Sequence, residues 1–324
     1  PNITHVKAND VWDLFGFDGE GFTIANIDSG VRYTHEAVVN QYRGNDGGTF
    51  SHDYNWLDPY ASAYQAPRDD NGHGTHTMGT MVGKVADNVN QIGMAPGADW
   101  MACRGCSTNQ CAGDQLLACA QWVAAPTKMD GSGVDTTKRP VAVNNSWGDC
   151  DQTYDDWYQE VVDAWVAAGI YPVFSNGNNS NCYYPVNPPE GTVGNPARYG
   201  NVSGVGSTGQ SNATYAGHSN KGPSDVADTI NPIDGSEFVK PQFMAPGVAI
   251  RSSLNGSDTQ YASYNGTSMS APHVTGLIAL IREAAPCLED YGQIETLIQN
   301  TATEIDPAPG FDGGTPNNSV GWCD

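Results

Sequence analysis

The chain has 324 residues and carries 14 Lys and Arg against 36 Asp and Glu, a formal charge of −22 at pH 7. That balance excludes nucleic acid and anionic membrane surfaces as partners, because both require a basic face, and with no run of 18 or more apolar residues nothing here is built to span a bilayer. The length suits one compact domain over residues 1–324, which no low-complexity linker or charge block divides.

The chain opens PNITHVKAND, without an initiator Met or a basic region followed by an apolar run, as either a processed mature form or a trimmed one would. Apolar, β-rich runs then recur at FTIANID (22–28), DWMACR (99–104), PVAVNNS (140–146), IYPVFSN (170–176), NVSGVGS (201–207) and GVAIRSS (247–253). Near-continuous apolar runs suit strands buried on both faces. Between the first two, RDDNGHGTHTMGTMVG (68–83) predicts a helix starting near His73. YDDWYQEVVDAWVAAG (154–169) predicts another, with Trp157, Val161, Trp165 and Ala168 on one face and a stop at Gly169. Segments 126–139 and 179–198, rich in turn formers, read as exposed loops. GTSMSAPHVTG (266–276) passes from glycine-rich loop into helix. The alternation indicates an α/β domain with a mainly parallel central sheet flanked by helices, whose active residues collect at the carboxyl ends of the strands.

Eight cysteines stand at 103, 106, 111, 119, 150, 182, 287 and 323. Disulfides in a secreted protein are the leading reading, with Cys287 to Cys323 as one pairing that would pin the C-terminal tail. The rival is a zinc site on the C-x2-C pair Cys103 and Cys106, but no second C-x-x-C follows. His73 and His76 are spaced as a metal pair could be, yet lack a nearby helical Glu. His73, flanked by glycines, is expected to expose its ring while His76 packs inward. The histidines at 5, 35, 52, 218 and 273 are expected to be structural.

Asp28 in DSG, His73 in HGTH and Ser268 in GTSMSAP occur in the order Asp, His, Ser, and these motifs closely resemble those of the subtilisin-like serine proteases. An α/β-hydrolase elbow fits less well, since G-x-S-x-G wants glycine where Ser270 stands and the order there is Ser, acid, His. The resemblance implies a three-layer, subtilisin-like fold and a catalytic triad: Ser268 as nucleophile, His73 as base, and Asp28 holding the imidazole tautomer. It further implies that Asn178, after Gly177, is the oxyanion donor. Ser146, Trp147 and Gly148 would pair with extended substrate, and Phe174, Ser175 and Asn176 would form one wall of the primary pocket. Trp147 stands where a smaller aliphatic is common, so an altered pocket a few residues upstream of the cut is expected, with an apolar or broad preference at the cut itself.

The same resemblance points to structural calcium, for which the loop VADNVNQIG (85–93) offers Asp87, Asn88, Asn90 and Gln91, or else is only a polar turn. No cofactor is required for the chemistry. Further expectations are a secreted, extracellular monomer acting on proteins or peptides, made with an N-terminal pro-segment. Two other classes remain: an inactive binding module on the same scaffold, and an esterase or peptide ligase using the same triad.

Overall fold

The apolar runs fold into strands whose side chains alternate between two buried faces. The computed structural model describes residues 1–60, 66–85, 90–108, 110–151, 153–212, 214–224 and 239–303. In chain order these form α1 (Asn2–His5), α2 (Ala8–Phe15), β1 (Thr23–Asp28), β2 (Asn45–Asp46), β3 (Thr49–Phe50), β4 (Trp56–Leu57), α3 (His73–Val82), β5 (Asp99–Arg104) and α4 (Gly113–Ala124). They continue with β6 (Ala142–Asn145), α5 (Gln159–Ala167), β7 (Tyr171–Ser175), β8 (Ser203–Thr208), β9 (Phe243–Pro246), β10 (Ile250–Ser253), β11 (Tyr261–Tyr264), α6 (Thr267–Ala284) and α7 (Tyr291–Thr301).

Seven strands make a parallel sheet in the order β4-β5-β1-β6-β7-β8-β9. Period-2 alternation sorts its side chains between two cores. Ile24, Ala142, Tyr171 and Val173 share one apolar cluster with Met78 and Met81 of α3 and Val274 and Ile278 of α6. Ala25, Ile27, Val143 and Phe174 share the other with Leu116 and Ala120 of α4 and Val162 and Trp165 of α5. The result is a three-layer α/β fold. After β1 the chain builds one side of the sheet and then crosses to build the other, so strand order reverses between β1 and β6. Open α/β sheets bind ligands at such a reversal, beyond the carboxyl ends of the strands.

Five of the six predicted strands lie in this sheet. The sixth, within 247–253, does not: β10 pairs antiparallel with β11, Ile250 facing Tyr264, and its burial alternates with an exposed Arg251. This hairpin caps α3, with Ser252 Oγ and Ser253 Oγ donating to the carbonyls of His76 and Thr75 at 2.7 and 2.8 Å. The sheet's edge strands, β4 and β9, are short and carry no apolar run long enough to flag them. Helix α5 starts later than predicted; Trp165 is buried as expected, but Tyr158 and Val162 are buried in place of Trp157 and Val161, which are only half-buried. A polar tip favours the change: Tyr158 Oη donates to the Leu116 carbonyl at 3.3 Å, as Trp165 Nε1 does to the Ala120 carbonyl at 3.1 Å, so both rings can be fully buried. The second half of segment 179–198 is also buried, from Thr192 through Arg198, rather than exposed. Among the described residues the disulfides are Cys103–Cys119, Cys106–Cys111 and Cys150–Cys182. The expected partner of Cys287, Cys323, lies outside the described residues.

A buried acid joins α7 to the sheet. Glu295 Oε2 accepts from Tyr171 Oη and, at 2.8 Å, from Ser203 Oγ. Burial pushes its carboxyl up to about 7 against these hydrogen bonds and the charge of Lys240. The folded protein therefore keeps this proton between about pH 4.5 and 7, where the unfolded chain has lost it, so the group's contribution to stability falls as pH rises through that window. Glu295→Gln is expected to remove that slope, worth on the order of 3 kcal/mol across it, as read from urea unfolding at a series of pH values.

Candidate active site

Strand parity places the first functional side chain. Ile24, Asn26 and Asp28 point to the α3 side of the sheet, and Asp28, the last residue of β1, is 3% exposed. Asn26 Nδ2 donates to the Gly74 carbonyl at 3.2 Å and to Thr77 Oγ1 at 3.0 Å, docking the start of α3 onto β1. The approach is close enough that a Cβ at residue 74 would lie 2.1 Å from the Gly30 carbonyl oxygen, so only glycine fits beside His73. As a result His73 Nδ1 sits 2.8 Å from Asp28 Oδ1 and 3.0 Å from Oδ2.

His73 is the first residue of α3, and its side chain remains 30% exposed. Burial disfavours its charged form, but the adjacent Asp28 carboxylate, by charge and hydrogen bond, and the more distant Asp69 outweigh this and raise its pKa above the usual 6.5. A histidine in the expected role of general base must be unprotonated to act, and for His73 in that role kcat/KM would fall with a single proton on acidification, with a midpoint above pH 6.5, measurable as the acid limb of a pH profile. His76 packs inward as expected, stacked on Tyr264 at 4.5 Å, and burial lowers its pKa to about 4.

Ser268 is the second residue of α6, where a backbone N–H has no intrahelical acceptor. Before it, Gly266 has φ 152°, a conformation that favours glycine and sets the sharp entry from loop to helix. Ser268 Oγ donates to the Ser146 carbonyl at 3.3 Å, and Ser146 Oγ donates back to the Ser268 carbonyl at 3.0 Å. Thus the hydroxyl rests on Ser146, not on His73. Nucleophile–base hydrogen bonds are often loose without substrate and tighten when it binds. Asp28, His73, Ser146, Ser175, Gly177, Asn178 and Ser268 all open on one cavity of about 300 Å³.

Asn178 is oriented from behind. Its Oδ1 accepts from the Thr267 N–H at 2.9 Å and from Thr267 Oγ1 at 3.1 Å. Only an oxygen can accept from that backbone N–H, so the carbonyl end of the amide is turned to α6 and Nδ2 is left for the cavity.

The expected pocket residues divide by strand parity. Ser146 and Ser175 line the cavity, as does Gly148. Phe174 does not: it points to the opposite face of β7, fully buried in the α4/α5 core. Asn176, on the same face, is also fully buried, with Nδ2 donating to the Asn220 carbonyl at 2.7 Å. Trp147 also lines the cavity but is largely covered. The residue is 9% exposed, and its ring donates from Nε1 to the Ile27 carbonyl at 3.0 Å and meets Tyr158 and Phe174 edge-on. Disulfides Cys106–Cys111 and Cys150–Cys182 border the cavity. Cys103–Cys119 ties β5 to α4.

For calcium, Asp87 and Asn88 lie outside the described residues. Asn90 is described, but its Oδ1 accepts from Arg251 Nη1 at 3.0 Å, so this oxygen already faces a cation and does not fit a metal ligand. Among the described residues no cluster of three His, Cys, Asp or Glu side chains has metal-holding geometry. Sequence reasoning passed over Asp69 and Ser29, which hydrogen-bond each other beside the Asp28–His73 pair. The available signal was an Asp two residues before Asn-Gly at a helix start, an arrangement that favours side-chain to backbone turns.

The profile of the subtilase family matches residues 19–323. Bacillopeptidase F of Bacillus subtilis (strain 168) is 38% identical over 323 residues, covering 99% of this chain but 21% of that protein. Subtilisin E of the same organism is 29% identical over 304 residues, 94% of this chain and 66% of its own. The chain thus spans less than two thirds of either relative. Among solved structures, a cold adapted subtilisin-like serine proteinase superposes with a TM-score of 0.64 at 26% identity, over 93% of this chain and 88% of that one.

Proposed function

The chain belongs to the subtilase family, and from that premise we propose that it is a secreted serine endopeptidase working through Asp28, His73 and Ser268, with residues 1–324 as one catalytic domain. The observation that carries this reading is the Asp28–His73 hydrogen bond at 2.8 Å opening on the same cavity as Ser268 and Asn178. Ser268 Oγ attacks the carbonyl carbon of the scissile peptide bond while His73 Nε2 takes its proton. Asp28 fixes the Nδ1–H tautomer and stabilises the imidazolium that forms. The negative charge on the former carbonyl oxygen meets Asn178 Nδ2 and the Ser268 N–H. Collapse expels the amine, which leaves with the proton from His73, and an acyl-enzyme remains. Water, deprotonated by His73, then releases the acid and restores the hydroxyl.

Substrate lies extended beside Ser146 to Gly148, so backbone hydrogen bonds supply affinity and alternate side chains supply selectivity. Trp147 is largely withdrawn into the core, and the cavity it helps to line is bordered by the disulfides Cys106–Cys111 and Cys150–Cys182. A monomer made with an N-terminal pro-segment completes the reading. Calcium, commonly bound by the family, is assigned a structural role only. Among the described residues no helix is long and apolar enough to cross a membrane.

The test combines intact mass after treatment with a serine-directed sulfonyl fluoride, casein hydrolysis, and hydrolysis of a small ester. One adduct on Ser268 with both activities lost in step supports the peptidase. Ester turnover without casein turnover favours an esterase, and neither adduct nor turnover by folded protein leaves the binding module.

A further inference from the structure

Asp69, four residues before His73, takes no part in the proposed chemistry, yet its carboxylate gathers donors from both sides of the Asp28–His73 pair. Oδ1 accepts from Ser29 Oγ at 2.9 Å, from the Asn71 N–H at 2.9 Å and from the Gly72 N–H at 2.8 Å. Oδ2 accepts from the Thr75 N–H at 2.9 Å and from Thr75 Oγ1 at 2.6 Å. Ser29 Oγ in turn accepts from the Gly74 N–H at 2.9 Å. Ser29 follows Asp28, while Gly72 and Gly74 bracket His73. The residue ahead of α3, Gly72, offers no side-chain cap, so the orphan N–H groups of the first turn go elsewhere: that of Thr75 to Asp69 directly, that of Gly74 to Ser29 in relay, and that of His73 to Asn71 Oδ1 at 3.2 Å. Asp69 is itself held from outside by Asn255 Nδ2, which donates to its carbonyl at 2.9 Å.

The surrounding charges sharpen its role. Arg68 and Arg104 each bind both Asp58 and Asp70, closing a ring of two cations and two acids beside the loop. The hydrogen-bond donors to Asp69 are neutral. His73 therefore faces two carboxylates, Asp28 in contact and Asp69 beyond it, while His76 one turn on is held neutral by burial.

We infer that Asp69 is a positioning residue: it locks Asp28 and the start of α3 in mutual register and adds a fixed negative charge that favours the imidazolium formed as Ser268 is deprotonated. The inference rests on the peptidase reading. Asp69→Asn keeps the shape but presents an amide N–H₂ to one set of donors and removes the charge. With folding checked by circular dichroism and melting temperature, and a peptide anilide as substrate, kcat is expected to fall about tenfold to a hundredfold, with KM within about twofold. The acid limb should move to lower pH, since a negative charge that favours the imidazolium is gone. If Asp69→Asn does not fold, Ser29→Ala carries the test: it cuts the relay and leaves the charge, so kcat falls and the acid limb stays. Where both fold, the double variant should lose no more than Asp69→Asn alone. A folded Asp69→Asn with wild-type kcat or an unmoved acid limb overturns the proposal, as does a Ser29→Ala of unchanged kcat. Failure of wild-type Ser268 to take a sulfonyl fluoride is a different result, and it counts against the peptidase reading.

Discussion

Ser268→Ala is expected to lower kcat on a peptide anilide by about 2 × 10⁶, a magnitude carried over from the corresponding knockout in subtilisin, a member of the same family. The loss should fall on kcat, with KM nearly unchanged, because the walls of the cleft do not depend on this hydroxyl. Its hydrogen bond to the Ser146 carbonyl is a long 3.3 Å, and the return bond from Ser146 Oγ runs to the Ser268 backbone and survives the change. His73→Ala should cost about as much, and the double variant hardly more, since nucleophile and base act as a unit and removing either removes both. A residual rate about 10³ to 10⁴ above water should remain from the oxyanion donors and binding. Variant activity within tenfold of wild type would place the nucleophile elsewhere. The nearby Ser270 is a poor replacement: it is fully buried and its Oγ finds no hydrogen-bond partner among the described residues.

Much of the candidate site was legible because the residues that open together on the cavity, Asp28, His73 and Ser268, stand in short local motifs: an Asp ending an apolar run, a His between glycines at a helix start, and a Ser where glycine-rich loop becomes helix. Fold class was legible for a related reason, since a strand buried on both faces must be apolar along its length. Less visible was what depends on which face a residue takes. Phe174 and Ser175 are neighbours in sequence, yet strand parity sends one into the core and the other to the cavity. A period-2 count from Val173 along β7 would have separated them. On helix α5 the first turns bury Tyr158 and Val162 instead of Trp157 and Val161, because Tyr158 finds a carbonyl partner on α4, a tertiary contact that no helical period contains. Asp69 was missed because its partners Ser29 and Thr75 lie on either side of it in sequence and meet only when α3 docks on β1.

Asn178→Ala should lower kcat by about 10² to 10³, some 2.7 to 4 kcal/mol of transition-state stabilisation, again a magnitude carried over from subtilisin. KM should change little, because the amide is aimed at an oxygen that becomes anionic only in the transition state. The more telling substitution is Asn178→Asp. It is nearly isosteric, and its carboxylate can still accept from the Thr267 N–H and Thr267 Oγ1, now at 2.9 and 3.1 Å, so the side chain should hold its place. The atom left facing the cavity would then be an oxygen instead of an N–H donor. Near neutral pH it would repel the developing oxyanion rather than merely fail to bind it. Asn178→Asp is therefore expected to be slower than Asn178→Ala although it conserves shape better, and part of its rate should return as pH falls and the carboxyl takes up a proton. That recovery competes with the loss of neutral His73, so the readout is the Asp-to-Ala ratio of kcat/KM at each pH, in which the His73 titration cancels. A flat ratio near one would mean that Nδ2 does not face the reacting oxygen, and would leave the Ser268 N–H as the donor that matters.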